Sequence, residues 1–445
     1  MSALGPVREY FRPGWLPAMA RPSYRWEVRS ALTFPLAMAC LESGVVGVIA
    51  RKTFGAGDYM VAAIAAAPMV ANLTSLVWAR LLAGRDRARA VVALQLATVA
   101  CVLLIALTPI SPTGRWLLAL LVYAGRACLA GFVTARSDLW RSNYRRDRRA
   151  SIVARFAVII ALVISAVAAL LGWALEGTGG SAVAFRAFYA SCAAGALAGA
   201  WAMSHVRWRG GRAQTRRERL EMDEESRAFG ALGMLAVLRD DRDYRAFMAA
   251  QFVLGMSAMA GLAPFIIAID RELGLGYAWS FALTQVTPTA LTVATIPLWA
   301  TLLNRVHIAR FRVWHSFLFV GANALTALGL AAGSAGVLLA GRAVLGMGYG
   351  GGRLAWNLGH HDFAPRHLAT LYMGIHVTLT GVRGALASFL GVLLYRGWAF
   401  DAGGVAVAFD GLGPWLFALL AGVSAAASVM FFRLSRRIGR PDRPA

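Results

Sequence analysis

Twelve apolar stretches of roughly 20 residues recur along this 445-residue chain, and each is long enough to cross a bilayer as a helix. Inside lipid the backbone must satisfy its own hydrogen bonds, so such stretches fold as helices. Hydrophobic residues make up 58% of the chain and charged residues 15%, where soluble proteins have about 25% charged residues. The sequence therefore predicts an all-α membrane protein, and it excludes a soluble enzyme or a single-anchor protein.

The apolar stretches fall into two groups of six, and we number them as spans one to twelve. They are 31–50, 59–78, 91–108, 116–134, 152–175 and 187–203, then 247–269, 280–302, 313–332, 337–356, 371–395 and 415–432. This layout predicts a tail over 1–28, a six-helix half over 29–206, a linker with an amphipathic helix over 207–245, a second six-helix half over 246–432, and a tail over 433–445.

The distribution of the 45 basic residues indicates the orientation. Both tails, the central linker and every second loop, counted with the adjoining ends of the apolar stretches, hold 36 of them, the opposite side holds 6, and 3 lie deeper inside apolar stretches. The positive-inside rule therefore predicts an even number of spans with both termini in the cytoplasm. The net charge of +23 is explained by this orientation, so we expect the lipid bilayer as partner and no nucleic acid.

Two short motifs recur in corresponding spans of the two groups. Residues 78–82 read WARLL and residues 299–303 read WATLL, 221 positions apart. The tetrapeptide Ala-Gly-Arg-Ala around Arg126 in span four recurs around Arg342 in span ten, 216 positions apart. Carriers are often built from repeated halves, and these matches predict two pseudo-symmetric halves.

With these features the chain resembles the major facilitator superfamily of secondary transporters over nearly its whole length. Arg342 with glycines at plus four and plus six fits the family's fourth-span pattern, here in span ten, and Arg126 with Gly131 is a looser version. The family's loop signature after span two survives only as Asp86-Arg87-Ala88-Arg89, which leaves its locking contacts open. Residues 356–362 and 374–384 look like a poorly characterised bacterial subgroup.

The resemblance implies a proton-coupled symporter or antiporter that moves a small molecule by alternating access. In the family, spans one, four, seven and ten line the central cavity, so Glu42, Arg126 and Arg342 would converge there. Glu42 would be the protonatable acid, and the two arginines would be gating or substrate-binding residues. Since guanidinium groups bind carboxylate and phosphate well, contact with substrate would favour an organic anion.

Structural roles are the alternative for these residues. Glu42 could form a static ion pair with Arg126 or Arg383, and a neutral substrate would leave the arginines structural. His376 in span eleven is a candidate for proton coupling, although a hydrated residue near a helix end would look the same. Gln251 and Arg383 are candidates for substrate binding or gating, and Gln251 could equally bond a neighbouring helix.

Other features give weaker indications. Asp270 and Glu272 could form an outer gate with Arg51 or Lys52, or be ordinary interfacial residues. We expect no metal at His360, His361, Asp362 and His367, no cofactor, no disulfide and a monomer. The open rivals are a transporter-like sensor or assembly factor that works through its central linker, an enzyme acting on lipid, and lipid transport by the same fold.

Overall fold

The computed structural model describes residue 14 and residues 16–221, 231–365, 368–402 and 405–438. Helices form most of this part of the chain. In the first half they are α1 (Arg21–Thr33), α2 (Pro35–Leu41), α3 (Ser43–Lys52), α4 (Asp58–Leu73), α5 (Ser75–Leu82), α6 (Arg87–Leu107), α7 (Pro112–Asn143), α8 (Arg146–Gly177), α9 (Ala182–Ser204) and α10 (Gly211–Glu221).

The second half begins with two helices that flank the end of the linker. Its helices are α11 (Ala231–Asp240), α12 (Arg242–Ala260), α13 (Leu262–Arg271), α14 (Tyr277–Phe281), α15 (Thr287–Leu303), α16 (Ile308–Ala331), α17 (Ala335–Leu358), α18 (Ala369–Arg396) and α19 (Leu416–Ile438). A π-helical turn, Ala282–Val286, joins α14 to α15, and short 3₁₀ turns cover Gly359–Asp362 and Gly413–Trp415.

Nine helical segments of the described chain are long and apolar enough to cross a membrane, and the bent series α1 to α3 makes a tenth. The two remaining predicted spans have helices that miss this criterion. Span two is divided into α4 and α5 at Thr74. Span ten is α17, whose 24 residues include seven glycines and Arg342, and both lower its hydropathy. Each of the twelve predicted segments therefore coincides with helix.

The first span begins earlier than the hydropathy predicts, at Arg21 inside the expected tail. Arg21, Arg25 and Arg29 are spaced four residues apart and are exposed, whereas Tyr24 and Val28 are buried. Residues at i and i+4 share one helix face, so the arginines lie along one side and leave the opposite side to pack. Mean hydropathy averages the two faces and hides this helix.

The chain divides into two units. Unit 1 comprises Met1–Val46 and Ala71–Ser226, and unit 2 comprises Gly47–Val70 and Arg227–Ala445. In unit 1 a buried cluster joins α1 to α8, where the rings of Tyr24 and Phe156 stack with centroids 5.4 Å apart. In unit 2 a buried cluster includes Tyr244 and Phe247 from the start of α12 and Phe431 from near the end of α19.

Glycines allow the closest helix approaches, as expected where lipid removes the hydrophobic driving force between helices. In unit 1 a Cβ on Gly199 would lie 2.6 Å from the backbone nitrogen of Phe34. In unit 2 a Cβ on Gly391 of α18 would overlap the carbonyl oxygen of Ala260 at the end of α12. These positions accept only a hydrogen atom.

The all-α prediction omits one element, a β-hairpin after α18. Strands β1 (Trp398–Ala402) and β2 (Val405–Phe409) pair antiparallel, with Trp398 opposite Phe409 and Phe400 opposite Val407. Gly397 ends α18 with a positive φ of 79°, which turns the chain out of the helix into β1. The hairpin lies between two spans, where backbone groups can pair outside the hydrocarbon.

We predict that Gly391→Ala destabilises the protein by about 1–3 kcal/mol, because the new methyl group collides with backbone that cannot move alone. Gly422→Ala is the matched control, since a Cβ there meets nothing within 4 Å. Its helix propensity should make it neutral or slightly stabilising. Thermal unfolding of both variants in detergent checks this, and equal melting temperatures would contradict the proposed backbone contact.

Candidate functional site

The helix of span one breaks at Glu42, and this break organises the polar residues of unit 1. Glu42 has extended backbone angles, φ −62° and ψ 132°, and the chain bends by 43° between Leu41 and Ser43. The last carbonyls of α2 therefore lose their partners within the helix. Two side chains replace them: the Tyr189 hydroxyl donates to the carbonyl of Cys40 at 3.1 Å, and Nε of Arg126 donates to that of Leu41 at 2.8 Å.

The same Arg126 forms an ion pair with Glu42. Its Nη2 lies 3.0 Å from Oε2 of Glu42, and the side chains are 10% and 28% exposed. Gly125 lets α7 approach the break, since a Cβ there would lie 2.8 Å from Cδ1 of Leu41. Of the two ion-pair partners considered from the sequence, the structure brings Arg126 to Glu42. The pair holds a charge at the helix break and leaves about a quarter of the carboxylate side chain accessible.

Arg342, the counterpart of Arg126 in the sequence repeat, has different partners in unit 2. Its Nε donates to the carbonyl of Leu283 at 3.0 Å, and Leu283 lies in the π-helical turn. The guanidinium carbon lies 4.3 Å from the centroid of the Phe265 ring. Arg342 is buried and forms no ion pair with any residue that the structure describes. Both arginines thus bond a carbonyl at a helix irregularity, but Arg126 alone has an acid.

Gln251 and Arg383, both proposed from the sequence, meet in unit 2. Nη1 of Arg383 donates to the backbone carbonyl of Gln251. The guanidinium packs directly on Gly255, one turn further along α12, where a Cβ would overlap it. Arg383 is buried, and neither its Nε nor Oε1 of Gln251 has a hydrogen-bond partner among the described residues. These two groups are available to a bound molecule.

A further arginine, Arg312, lies close to this pair and was missed from the sequence. It is 2% exposed, and its positive charge is opposed by that of Arg383. Its Nη1 lies 3.2 Å from Nδ1 of His315, whose Nε2 lies 2.7 Å from the carbonyl of Gly348. A carbonyl accepts only, so Nε2 carries the proton and Nδ1 accepts from Arg312. Arg312 was missed because Arg305, Arg310 and Arg312 interrupt the apolar residues here, so the predicted span begins only at 313.

His376 is 1% exposed, so it is not the hydrated helix-end residue considered from the sequence. Its ring packs against that of Trp356 with centroids 5.7 Å apart, and neither ring nitrogen has a hydrogen-bond partner among the described residues. A neutral imidazole can donate to one group and accept from another.

The loop motif after span two has a structural arrangement in unit 1. Oδ1 of Asp86 accepts from the backbone amides of Ala88 and Arg89 at 2.9 and 3.2 Å, so Asp86 caps α6. Buried Arg87 pairs with Asp138 at 2.8 Å and with Glu218 at 3.0 Å, which ties α6 to α7 and α10. Arg89 is 91% exposed and lies 3.7 Å from Asp86.

Glu27 is a buried acid that the sequence analysis assigned to the tail. It accepts from Nε1 of Trp140 at 2.5 Å and from the Tyr144 hydroxyl at 2.6 Å. Burial, and then the Glu27 charge, raise the pKa of Tyr144 well above its ordinary value, so its hydroxyl stays protonated. Arg136 provides the nearest positive charge and lines a small cavity of about 10 Å³ beside Glu27. The i, i+4 spacing of Glu27 with buried residues of α1 could have revealed it.

An ion-pair network in unit 2 joins the end of α3 and start of α4 to the ends of α13 and α18. Asp58 is completely buried and pairs with Arg51, Arg271 and Arg396 at 2.9, 3.0 and 3.1 Å. Asp270 pairs with Arg51 at 2.7 Å and with Lys52 at 2.8 Å. The structure thus brings together Asp270 and both basic residues that were proposed as its partners, whereas Glu272 accepts from Tyr395.

The residues that the structure describes include no group of three His, Cys, Asp or Glu side chains able to hold a metal. Asp362 accepts from the backbone amide of Ile308 at 2.8 Å and so caps α16. The side chain of His361, and His367 entirely, lie outside the described residues. Asp362 therefore has a local structural role.

Comparison with known proteins agrees with this architecture. A family model described as Major Facilitator Superfamily matches residues 30–388. The nucleoside transporter NupG has a similar structure, with a TM-score of 0.68 and 11% identity over 93% of this chain and 99% of that one. A peptide transporter, POT, is similar as well, with a TM-score of 0.67 and 14% identity over 93% of this chain and 94% of that one. The inward-open xylose transporter XylE from E. coli has a TM-score of 0.64 and 11% identity over 93% of this chain and 96% of that one. No curated protein matches the sequence. The predicted family and fold class are confirmed.

We predict that Glu42 and Arg126 are energetically coupled by about 1–3 kcal/mol in a double-mutant cycle of Glu42→Gln and Arg126→Gln. Each single change leaves a half-buried polar group or charge unpaired, and the double variant removes both. The control cycle uses Asp86→Asn and Arg89→Gln, an exposed pair whose coupling should be near zero. Unfolding free energies in detergent measure both cycles, and equal coupling in the two would show that the Glu42 pair is not special.

Proposed function

This chain belongs to the major facilitator superfamily, and we propose that it is a secondary active transporter for a small organic anion, coupled to protons. The family makes it a multi-pass membrane transport protein rather than an enzyme. The substrates named for its structural neighbours cannot be transferred to this chain, because the sequence identities are low. The choice of an anion therefore rests on this chain's own side chains.

The observation that carries the proposal is a set of buried arginines without acids in unit 2. Arg312, Arg342 and Arg383 are each less than a tenth exposed, and none forms an ion pair with a residue that the structure describes. A guanidinium taken out of water without a counter-charge costs several kcal/mol. A substrate carboxylate or phosphate would offset this cost through charge-assisted hydrogen bonds.

Arg383 and Arg312 offer free donors for such an anion. Nε of Arg383, and Nε and Nη2 of Arg312, are buried and lack hydrogen-bond partners among the described residues. Oε1 of Gln251 is free to accept a hydroxyl or amine of the same substrate. His376 supplies one neutral donor or acceptor beside them. These side chains would recognise a carboxylate or phosphate that also carries a neutral polar group.

In unit 1 the Glu42–Arg126 pair supports proton coupling. When Glu42 is ionised it neutralises Arg126, and the pair has no net charge. When Glu42 takes up a proton, Arg126 keeps its bond to the carbonyl of Leu41 but loses its counter-ion. The free guanidinium then attracts an anion, so proton and anion bind together. A proton that crosses together with a monovalent anion moves no net charge, so the pH difference across the membrane, and not the membrane potential, would drive such a cycle.

The network around Asp58 and Asp270 would act as a latch in this cycle. Three basic residues hold the buried Asp58, and they come from α3, α13 and α18. For these helix ends to separate, the carboxylate must exchange its ion pairs for water. Arg271 and Arg396 are 48% and 45% exposed, so water can replace them at modest cost while Arg51 keeps the buried Asp58 paired.

We infer that both termini lie in the cytoplasm of a bacterium and that the chain works as a monomer in the inner membrane. The charge distribution supports the orientation. Under this orientation the loop motif with Arg87 and the helix α11 are cytoplasmic, and the Asp58 network is on the outer side.

We predict that Arg383→Gln and Arg312→Gln weaken binding of an anionic ligand at least about tenfold, because each removes a charge-assisted bond worth more than about 1.4 kcal/mol. Arg186→Gln, an exposed arginine at the start of α9, is the control and should bind normally. A thermal-shift screen with organic acids, phosphate esters, sugars, amines and lipids provides the measurement. A neutral ligand untouched by both substitutions would refute the anion proposal. If nothing binds, the sensor or assembly interpretation with α11 as its working surface is favoured.

We predict that Glu42→Gln uncouples anion uptake from a proton gradient, because the substitution replaces the carboxylate with an amide. An amide cannot titrate, and it leaves Arg126 without a counter-ion at every pH. In proteoliposomes the variant should lose uptake driven by a proton gradient but keep exchange of labelled for unlabelled substrate. Glu176→Gln, in the last turn of α8, is the control. Retention of proton-driven uptake in Glu42→Gln would exclude this residue as the coupling site.

A further inference from the structure

A groove of about 970 Å³ lies on the surface of unit 2 between the start of α16 and the end of α19. Its rim is basic, with Arg305, Arg310 and Arg436, and its walls are apolar. We propose that this groove, the α16–α19 groove, is a binding site for an anionic phospholipid of the adjacent membrane leaflet.

The walls of the groove have the polarity of a surface that contacts acyl chains. On α16, Arg310, Trp314 and Phe317 follow at intervals of four and three residues, and on α19 the same face carries Val429, Phe432 and Arg436. Such spacing puts each set on one helix face. Trp314 and Phe317 are 60% and 55% exposed, and Val429 and Phe432 are both 49% exposed. Both helices qualify as membrane spans, so these side chains face lipid.

The dimensions match a lipid whose headgroup lies at the rim. Seven residues separate Arg310 from Phe317, and seven separate Arg436 from Val429, which is about 10 Å along each helix. One leaflet of hydrocarbon is about 15 Å thick. The two apolar walls therefore extend over most of a leaflet below the arginines, as the first part of an acyl chain requires.

The rim favours a negative headgroup. Arg305, Arg310 and Arg436 are exposed, and none forms an ion pair with a residue that the structure describes. The nearby Asp362 is engaged by the amide of Ile308, and Asp243 by Arg437. The Arg436 guanidinium stays near the Phe432 ring, 5.8 Å from its centroid, which keeps a charge above an apolar wall. Basic pockets between helices at the membrane surface are suited to anionic headgroups.

The experiment compares phosphatidylglycerol with phosphatidylcholine of the same acyl chains, bound to the full-length protein and counted by native mass spectrometry. The natural protein should prefer phosphatidylglycerol. In the triple variant Arg305→Gln, Arg310→Gln, Arg436→Gln the ratio of the affinity for phosphatidylglycerol to that for phosphatidylcholine should fall at least about tenfold. Arg433→Gln, an exposed arginine of α19 outside the groove, is the control and should keep it.

Two further measurements test whether the groove binds a whole lipid or only a phosphate group, and whether its arginines or its apolar walls set the lipid preference. The double variant Trp314→Ala, Phe317→Ala should weaken binding of both lipids about equally, because it removes apolar contact area from the groove and changes no charge. Inorganic phosphate should not compete with phosphatidylglycerol at millimolar concentration. Equal binding of the two lipids, an unchanged preference in the triple variant, the same loss in Arg433→Gln, or competition by phosphate would each overturn the proposal. Melting temperatures in phosphatidylcholine verify that every variant is folded.

Discussion

Buried arginines that bond free backbone carbonyls are the interaction on which the candidate site depends. A membrane helix that breaks or widens exposes carbonyls that water cannot reach. Arg126 bonds the carbonyl of Leu41 at the break of span one, and Arg342 bonds that of Leu283 in the π-helical turn. Arg383 also donates to a carbonyl, that of Gln251, although helix α12 is continuous there. Each guanidinium thus stabilises a neighbouring helix and holds a positive charge inside the membrane.

The two symmetry-related arginines differ in what balances their charge. Arg126 has Glu42, whereas Arg342 lies against the ring of Phe265. An acid can take up a proton and release its partner, but an aromatic ring cannot. The repeat therefore keeps the arginine in both units and places an acid beside it in unit 1 alone. This difference is the physical basis for proposing proton coupling in one unit and lasting anion affinity in the other.

Residues missed from the sequence share a cause. Glu27 and Arg312 are charged, they adjoin basic or polar positions, and they were read as solvated loop or tail. In the structure they are buried, because helix periodicity turns them inward while neighbouring arginines such as Arg25 face outward. The sequence does not predict Trp140 as the partner of Glu27, because the two residues lie far apart in the chain. His315 is close to Arg312 in the sequence, but the pair is predictable only if Arg312 is known to be buried.

The sequence by itself determined the membrane class, the twelve helical segments, the repeat and the family, because hydropathy and the length of a span are local properties. It also identified Glu42, Arg126, Arg342, Gln251 and Arg383 as unusual, since a polar residue inside an apolar segment is visible in one dimension. Only the tertiary structure decided which of them are partners. Pairing depends on helix rotation and on close approach at glycines such as Gly125 and Gly255, and contacts between distant segments set both.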